Sequence, residues 1–275
     1  MNPPSDTSRE AQRVLTESYR AMAPDRKLRL LGQEYRLARS LHEAGFRRTR
    51  PRASRSEVRE SWGVMVLGLE TWKTVNRSDI MDDEMEPLAV LREVAGAFDA
   101  LGIAYAVGGS WASSLYGEAR MTRDADVSAE PFPGKERALA ARFGGDYYVS
   151  VDAVIQAVRQ RSTFNIIHTP SAFKVDVFVV KDDGFERSLL ARRAAGPGPG
   201  SSENPLVWVS AEDITLLKLR WYRLGNEISD RQWSDVLGVL RTQAGRLDLP
   251  YLETWAENLG VADLLSKALG QASGG

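Results

Sequence analysis

The residues best placed by type and spacing to do chemistry are three aspartates. Asp124 and Asp126 stand two apart in Asp124-Ala-Asp-Val-Ser128, a stretch that reads as a strand. Residues i and i+2 of a strand share a face. Two carboxylates side by side repel unless something positive lies between them, and Mg²⁺ is the oxygen-seeking cation that suits such a pair together with substrate phosphates. Taken alone, a solvent-exposed strand edge is the plainer reading of the pair. The third, Asp176, sits inside Phe173-Lys-Val-Asp-Val-Phe-Val-Val180, where Lys174 and Phe178 share its face and Val175, Val177 and Val179 share the other. An Asp in so strongly β-forming a run is costly to bury unless paired or metal-bound. Upstream, Val107 ends an apolar run and Gly108-Gly109-Ser110 follows. Without Cβ atoms, two glycines let backbone approach a phosphate closely. A helix opening at Ser110 would offer free N–H groups and its dipole to an anion; a tight turn is the plainer reading. Three aspartates on two adjacent strands, facing such a helix start, would form a two-metal phosphoryl-transfer site.

Composition narrows the alternatives. The chain has 275 residues, 43% hydrophobic and 27% charged, enough for a buried core and one or two domains. Its 36 Lys+Arg against 37 Asp+Glu give a net charge of −1, which argues against a uniformly basic nucleic-acid binder. No cysteine is present, so disulfides, thiolate catalysis, Cys-ligated zinc and iron–sulfur clusters are excluded. His42 and His168 are the only histidines, too few for a multi-histidine metal site. No apolar run reaches the roughly 18–20 residues of a membrane span, and the polar start carries no signal-peptide core. The expectation is a soluble, cytoplasmic protein whose ionic chemistry falls to carboxylates, Lys, Arg and hydroxyls.

The elements that must position these groups follow from periodicity. Residues 1–60 carry 14 Lys+Arg against 8 Asp+Glu, whereas 79–86 are acidic and Pro87 follows. That switch marks a boundary. Ahead of it, helices are predicted over 9–22, over 25–44 with Gly45 as the stop, and from Ser54 or Ser56 to Leu69. Three short helices rarely make a core alone, so this unit is expected to pack on the rest of the chain or on a partner. Beyond the boundary the pattern predicts a helix over 86–101, strands over 103–107 and 124–128, and a helix beginning in 111–116. Helices follow over 134–143 and 152–160, then strands over 164–168, 174–180 and 207–209. Gly196–Ser202 reads as a flexible loop. Helices are predicted over 211–224, 230–243, 249–259 and 261–269. The outcome is an α/β unit (86–210) between a helical appendage (1–85) and a helical extension (211–275).

Gly108-Gly109-Ser110, Gly117, Arg120, Thr122, Asp124-x-Asp126 and Asp176, in that order, resemble the nucleotidyltransferase superfamily with its polymerase-beta-like fold. The spacing is closest to the minimal and AbiE-type toxin branch. Glu212-Asp-Ile-Thr-Leu-Leu-Lys218 resembles that branch's helix motif, and Arg231-Gln-Trp-Ser-Asp235 its Arg-x-x-x-Asp motif. The resemblance covers roughly residues 88–270 and leaves 1–85 outside. It implies an α/β mixed sheet with flanking helices. It also implies Mg²⁺, two ions, with an NTP as co-substrate. Asp124 and Asp126 would ligate metal, and Asp176 would ligate the second ion or act as base. Gly108, Gly109 and Ser110 would hold the β and γ phosphates, Lys218 would contact phosphate, and Arg120 would pair with an Asp or a phosphate. Asp235 would be a general base or a structural residue, with Arg231 one turn before it. The branch often has Lys-Asp where Trp233-Ser234 stand here, a departure that bears on Asp235.

The implied reaction moves a nucleoside monophosphate from an NTP to an acceptor hydroxyl, on an RNA end or a protein side chain, in a toxin–antitoxin setting. The N-terminal helices would offer a surface to a partner protein. A small-molecule, antibiotic-type nucleotidyltransferase and a non-catalytic nucleotide-binding or neutralising module are the competing readings. Plainer roles remain for several side chains. Arg231 and Asp235 have the spacing of an ordinary i,i+4 helix pair, and His168 at a strand end reads as structural. Trp208, Trp221, Tyr222 and Trp233 read as helix packing, with base stacking open to Trp221 or Tyr222. Arg47, Arg48, Arg50, Arg52 and Arg55 form a solvated basic stretch that would also suit RNA phosphates.

Overall fold

The computed structural model describes residues 9–75, 87–122, 124–196 and 205–273. The acidic stretch 79–86 and the predicted loop beyond Gly196 lie outside the described residues.

Four helices open the chain: α1 (Arg9–Ala21), α2 (Pro24–Thr49), α3 (Arg55–Leu67) and α4 (Leu69–Val75). Pro24 begins α2, where its missing N–H costs nothing. Gly45 does not stop α2 as its sequence position suggested. A single interior glycine costs only about 1 kcal/mol, and the helix runs on until the residue before Pro51, which disfavours helical backbone. Ser54 and Glu57 form a capping box that starts α3. The helix predicted to reach Leu69 ends at Leu67, and a further helix, α4, follows Gly68, whose φ of +82° suits glycine. Gly63 then lets α4 fold back, because a Cβ there would lie 2.2 Å from the Trp72 ring.

The middle of the chain runs α5 (Pro87–Ala100), β1 (Tyr105–Val107), α6 (Gly109–Tyr116), β2 (Asp124–Ala129), α7 (Glu136–Ala140), β3 (Tyr147–Val149), α8 (Val151–Gln160), β4 (Thr163–His168), β5 (Phe173–Val179), α9 (Gly184–Arg192), β6 (Ala194–Ala195) and β7 (Val207–Trp208). The helices α10 (Ala211–Leu224), α11 (Asp230–Thr242), α12 (Leu249–Asn258) and α13 (Ala262–Ser273) complete it. The fold is α/β, a seven-stranded mixed sheet in the order β3-β4-β5-β2-β1-β7-β6 with flanking helices. β2 pairs parallel with β5 and antiparallel with β1. Four elements escaped the sequence reading: α4, β3, β6 and α9. β3 and β6 are too short to show a period, and α9 opens on Gly184, with Asp183 as its cap.

One face of the central strands is apolar throughout: Ala125, Val127 and Ala129 of β2 and Val175, Val177 and Val179 of β5 are all buried. At the far end of the sheet Arg192 of α9 reaches Glu212 at 2.9 Å and stacks on Tyr251, whose hydroxyl donates to Asp213, tying α9, α10 and α12 together.

The N-terminal helices join this core. Leu28, Tyr35, Trp62 and Trp72 belong to the same buried cluster as the sheet. The Tyr35 hydroxyl and the Trp62 indole both donate to the Ser171 carbonyl, at 2.7 and 3.2 Å. Lys27, nearly fully buried, donates to the Leu115 and Gly117 carbonyls at the end of α6, 3.1 Å each. Arg20 caps the end of α11 in the same way through the Arg241 and Thr242 carbonyls. Cations at helix C-termini satisfy orphan carbonyls and oppose the dipole.

Lys27→Met should therefore destabilise the fold by about 1–3 kcal/mol, leaving two buried carbonyls without a donor. Urea denaturation measures this, and an unchanged midpoint would show that the contact contributes nothing. A chain beginning at residue 87 should aggregate or melt earlier, since its exposed core wall is apolar.

Candidate active site

The pairing of β2 with β5 sets side chains of the polar face in rows. Asp124 lies opposite Lys174, Asp126 opposite Asp176, and Ser128 opposite Phe178. β4 extends the rows, placing Asn165 opposite Asp176 and Thr163 opposite Phe178. The three aspartates named from sequence thus share one face. Each is part-exposed, whereas their β2 and β5 neighbours on the other face are buried.

Local contacts fix the mouth of this face. The Gly108 N–H donates to the Asp126 carbonyl at 2.8 Å, and the Trp111 indole donates to the Asp124 carbonyl at 3.1 Å. Gly109 opens α6 with φ +54°, and a Cβ there would meet Asp126 Oδ2 at 1.7 Å. Only glycine lets the helix start lie against the carboxylate. The arrangement also brings Asp126 to the positive end of the α6 dipole. Burial still pushes the Asp126 carboxyl up to about 6, helped by the charges of Asp124 and Asp176 and opposed by Lys218 and Lys174.

A second polar network runs beside the first. Arg120 grips Asp235 with two hydrogen bonds, Nε to Oδ1 at 2.6 Å and Nη2 to Oδ2 at 2.7 Å. The same Nη2 donates to Ser110 Oγ at 2.8 Å. Lys218 of α10, 6% exposed, completes the set at 2.8 Å from Asp235 Oδ2. Burial raises the Asp235 carboxyl, but the hydrogen bonds and charges of Arg120 and Lys218 outweigh it and hold the group below its ordinary value. A carboxylate so held is a weak proton acceptor. Its position suits it to orient two cations rather than to act as base. Arg231 lies exposed on α11, and the i,i+4 pair foreseen for it gives way to these longer-range partners.

A cavity of about 480 Å³ opens on this face, lined among others by Gly108, Gly109, Asp126, Ser128, Phe178, Lys218, Arg161, Lys181, Arg220 and Trp221. Trp221 is 52% exposed, and its ring lies 6.5 Å from that of Phe178. Tyr222 packs on Trp233 instead, and Trp208 is buried, as packing roles require. His168 is buried with Nδ1 2.8 Å from Ser171 Oγ, a structural contact.

Asp124 and Asp126 supply the hard oxygen donors a divalent cation needs, and the charge crowding that raises Asp126 is what such an ion would relieve. Asp176 differs. Asn165 donates to its Oδ1, and Lys174 lies 2.6 Å from its Oδ2. Among the described residues, no three carboxylate or imidazole groups stand together as a ready-made metal cage. Sequence reasoning missed the part played by Lys174 and Asn165. Lys174 was visible as a neighbour on the Asp176 face, but Asn165 carries no signal until β4 is paired with β5.

No known family's sequence profile matches the chain, and no curated protein matches it. Among solved structures, the antibiotic-resistance factor ANT(2'')-Ia matches at 14% identity and a TM-score of 0.37, over 67% of this chain and 94% of that one. An antigenic nucleotidyltransferase-like protein from Paracoccidioides brasiliensis matches at 17% identity and a TM-score of 0.40, over 67% of this chain and 92% of that one.

Two outcomes are expected from the charges of this site. A carboxyl raised from 3.8 to about 6 contributes stability that is complete below pH 3.8 and lost as pH rises through 6. Asp126→Asn should therefore stabilise the protein in EDTA by about 1–2 kcal/mol at pH 7, the shift being discounted for partial solvent exposure, and by much less at pH 4. Thermal melts at the two pH values test this, and a destabilised variant at pH 7 would contradict it. Asp235→Ala should cost about 3 kcal/mol, because it strands the buried Lys218 ammonium and leaves the half-buried Arg120 unpaired; urea denaturation measures that loss.

Proposed function

We propose that the chain is a Mg²⁺-dependent nucleotidyltransferase of the polymerase-beta-like superfamily, transferring a nucleoside monophosphate from an NTP to an acceptor hydroxyl. The observation that carries this reading is the row of Asp124, Asp126 and Asp176 on one sheet face beside the glycine-started helix α6. Asp124 and Asp126 would hold the metal, which when bound would neutralise triphosphate charge and polarise the α-phosphorus. Arg120 and Lys218 would supply the cations, and Ser110 a hydroxyl, on which β and γ phosphates would rest, with Asp235 fixing the two cations in place. The acceptor oxygen would bond to the α-phosphorus as the α–β phosphoanhydride bond breaks and pyrophosphate leaves. Asp176 is the remaining carboxylate of the row; held by Lys174 and Asn165, it would help orient the acceptor hydroxyl, whose proton would pass to solvent. Trp221, exposed beside Phe178 in the same cavity, would stack on a base.

The cavity lining bears on the acceptor. Its carboxylates are Asp126 and Glu186, and Arg220 lies 3.6 Å from Glu186. Arg161 and Lys181 add positive charge. Such a wall suits a neutral or anionic acceptor, such as an RNA end or a protein hydroxyl, better than a polycationic drug. Toxin–antitoxin action in the cytoplasm, with a partner protein on the N-terminal helices, belongs to the same proposal. No described helix is long and apolar enough to cross a membrane.

Label transfer tests the reaction. The protein would be incubated with Mg²⁺ and each of four α-labelled NTPs, with total tRNA in one set and cell-extract protein in another. Label should enter an RNA or protein band and fall at least about a hundredfold with Asp124→Ala or Asp126→Ala. Absence of both label and Mg²⁺-dependent NTP binding would overturn the proposal in favour of a binding module.

A further inference from the structure

We infer that the site is built for one divalent cation, the Lys174 ammonium standing in place of a second. This rests on the nucleotidyl-transfer reading and departs from the two-ion arrangement that the sequence resemblance implies.

The argument begins with register. Lys174 lies opposite Asp124 and two residues before Asp176, so all three point to the polar face. Its ammonium is 2.6 Å from Asp176 Oδ2, with the Asp176 side chain only 15% exposed. The other oxygen, Oδ1, accepts from Asn165, which pairing with β4 places directly alongside. Both oxygens of the third carboxylate are therefore engaged by protein donors. A second metal would have to displace an ammonium held by the strand's own backbone and an amide held by the neighbouring strand.

Asp124 and Asp126 are differently placed. The hydroxyl of Thr122 donates to Asp124 Oδ1 at 2.9 Å, while Asp126 borders the open cavity. Among the described residues neither of these two carboxylates forms an ion pair, and they are the pair left for a metal. The charges agree. Three carboxylates and one ammonium leave two negative charges, the amount one divalent ion neutralises. Among the described residues, the neighbouring cations Arg120 and Lys218 are committed to Asp235. A lysine suits this post because its ammonium is a compact point charge that approaches a carboxylate closely without needing a planar partner.

Counting bound Mn²⁺ by electron paramagnetic resonance tests the inference, first with Mn²⁺ alone and then with non-hydrolysable α,β-methylene analogues of the four NTPs. The native chain should bind one ion beyond those held by free nucleotide. Lys174→Met should admit a second, bound about tenfold or more tightly than any second ion on the native chain, while Lys174→Arg should stay at one. Two ions on the native chain, or a single ion on a folded Lys174→Met chain, would overturn the inference and leave the proposed reaction standing. No ion on any chain would overturn both. The native count decides the matter even if Lys174→Met fails to fold.

Discussion

Everything in the site depends on the register between β2 and β5. The two strands run parallel and share an alternating ladder, with buried valine and alanine on one face and the aspartates, Lys174, Ser128 and Phe178 on the other. A slip of one residue in either strand would turn its aspartate into the core and expose its apolar residues, at a cost the apolar face forbids. Hydrophobic burial on one side of the sheet thus fixes the spacing of charges on the other. The paired carboxylates are a by-product of the same packing that stabilises the sheet, and their mutual repulsion is tolerated because the ladder leaves them no other place.

The second polar network works at longer range. Asp235 draws Arg120 from the loop before β2 and Lys218 from α10 onto one carboxylate. Three chain segments, the farthest 115 residues apart, are brought together at one buried charge. Such a charge is stable only while both partners are present. The N-terminal helices reinforce the same elements from behind. Lys27 and Arg20 cap the carbonyl ends of α6 and α11, the helices that carry Ser110 and Asp235. Residues that fall outside the resemblance therefore fasten two helices of the site and bury Leu28, Tyr35 and Trp62 in the common core. An appendage detachable without consequence does not fit these contacts.

Under the proposed reaction, stability and chemistry oppose each other at Asp126. Its carboxyl is raised by burial and by two like charges, a strained arrangement that a neutral side chain would relieve. Functional sites commonly retain such destabilising groups. Gly109 shows the same compromise in the backbone, since its positive φ and missing Cβ are needed for α6 to start against that carboxylate.

How much of this was legible in the chain follows from the range of the forces involved. The strong strand around Asp176, the helix over 211–224 and the Asp-x-Asp pair are local patterns, and alternation or helical spacing alone reveals them. The capping box at Ser54 is likewise local. Gly45 misled because one interior glycine costs only about 1 kcal/mol, too little by itself to end a helix, and β3 and β6 were too short to carry a period. The sequence by itself therefore determined which residues carry charge, which faces they share and the class of chemistry open to them. Only the tertiary structure decided their partners: Asp126 beside Asp176, Asp235 with Arg120 and Lys218 rather than Arg231, and Lys174 on Asp176. The physical reason is that a side chain's partner is chosen by strand register and helix packing, which are settled by contacts between distant segments and leave no periodic trace in either one.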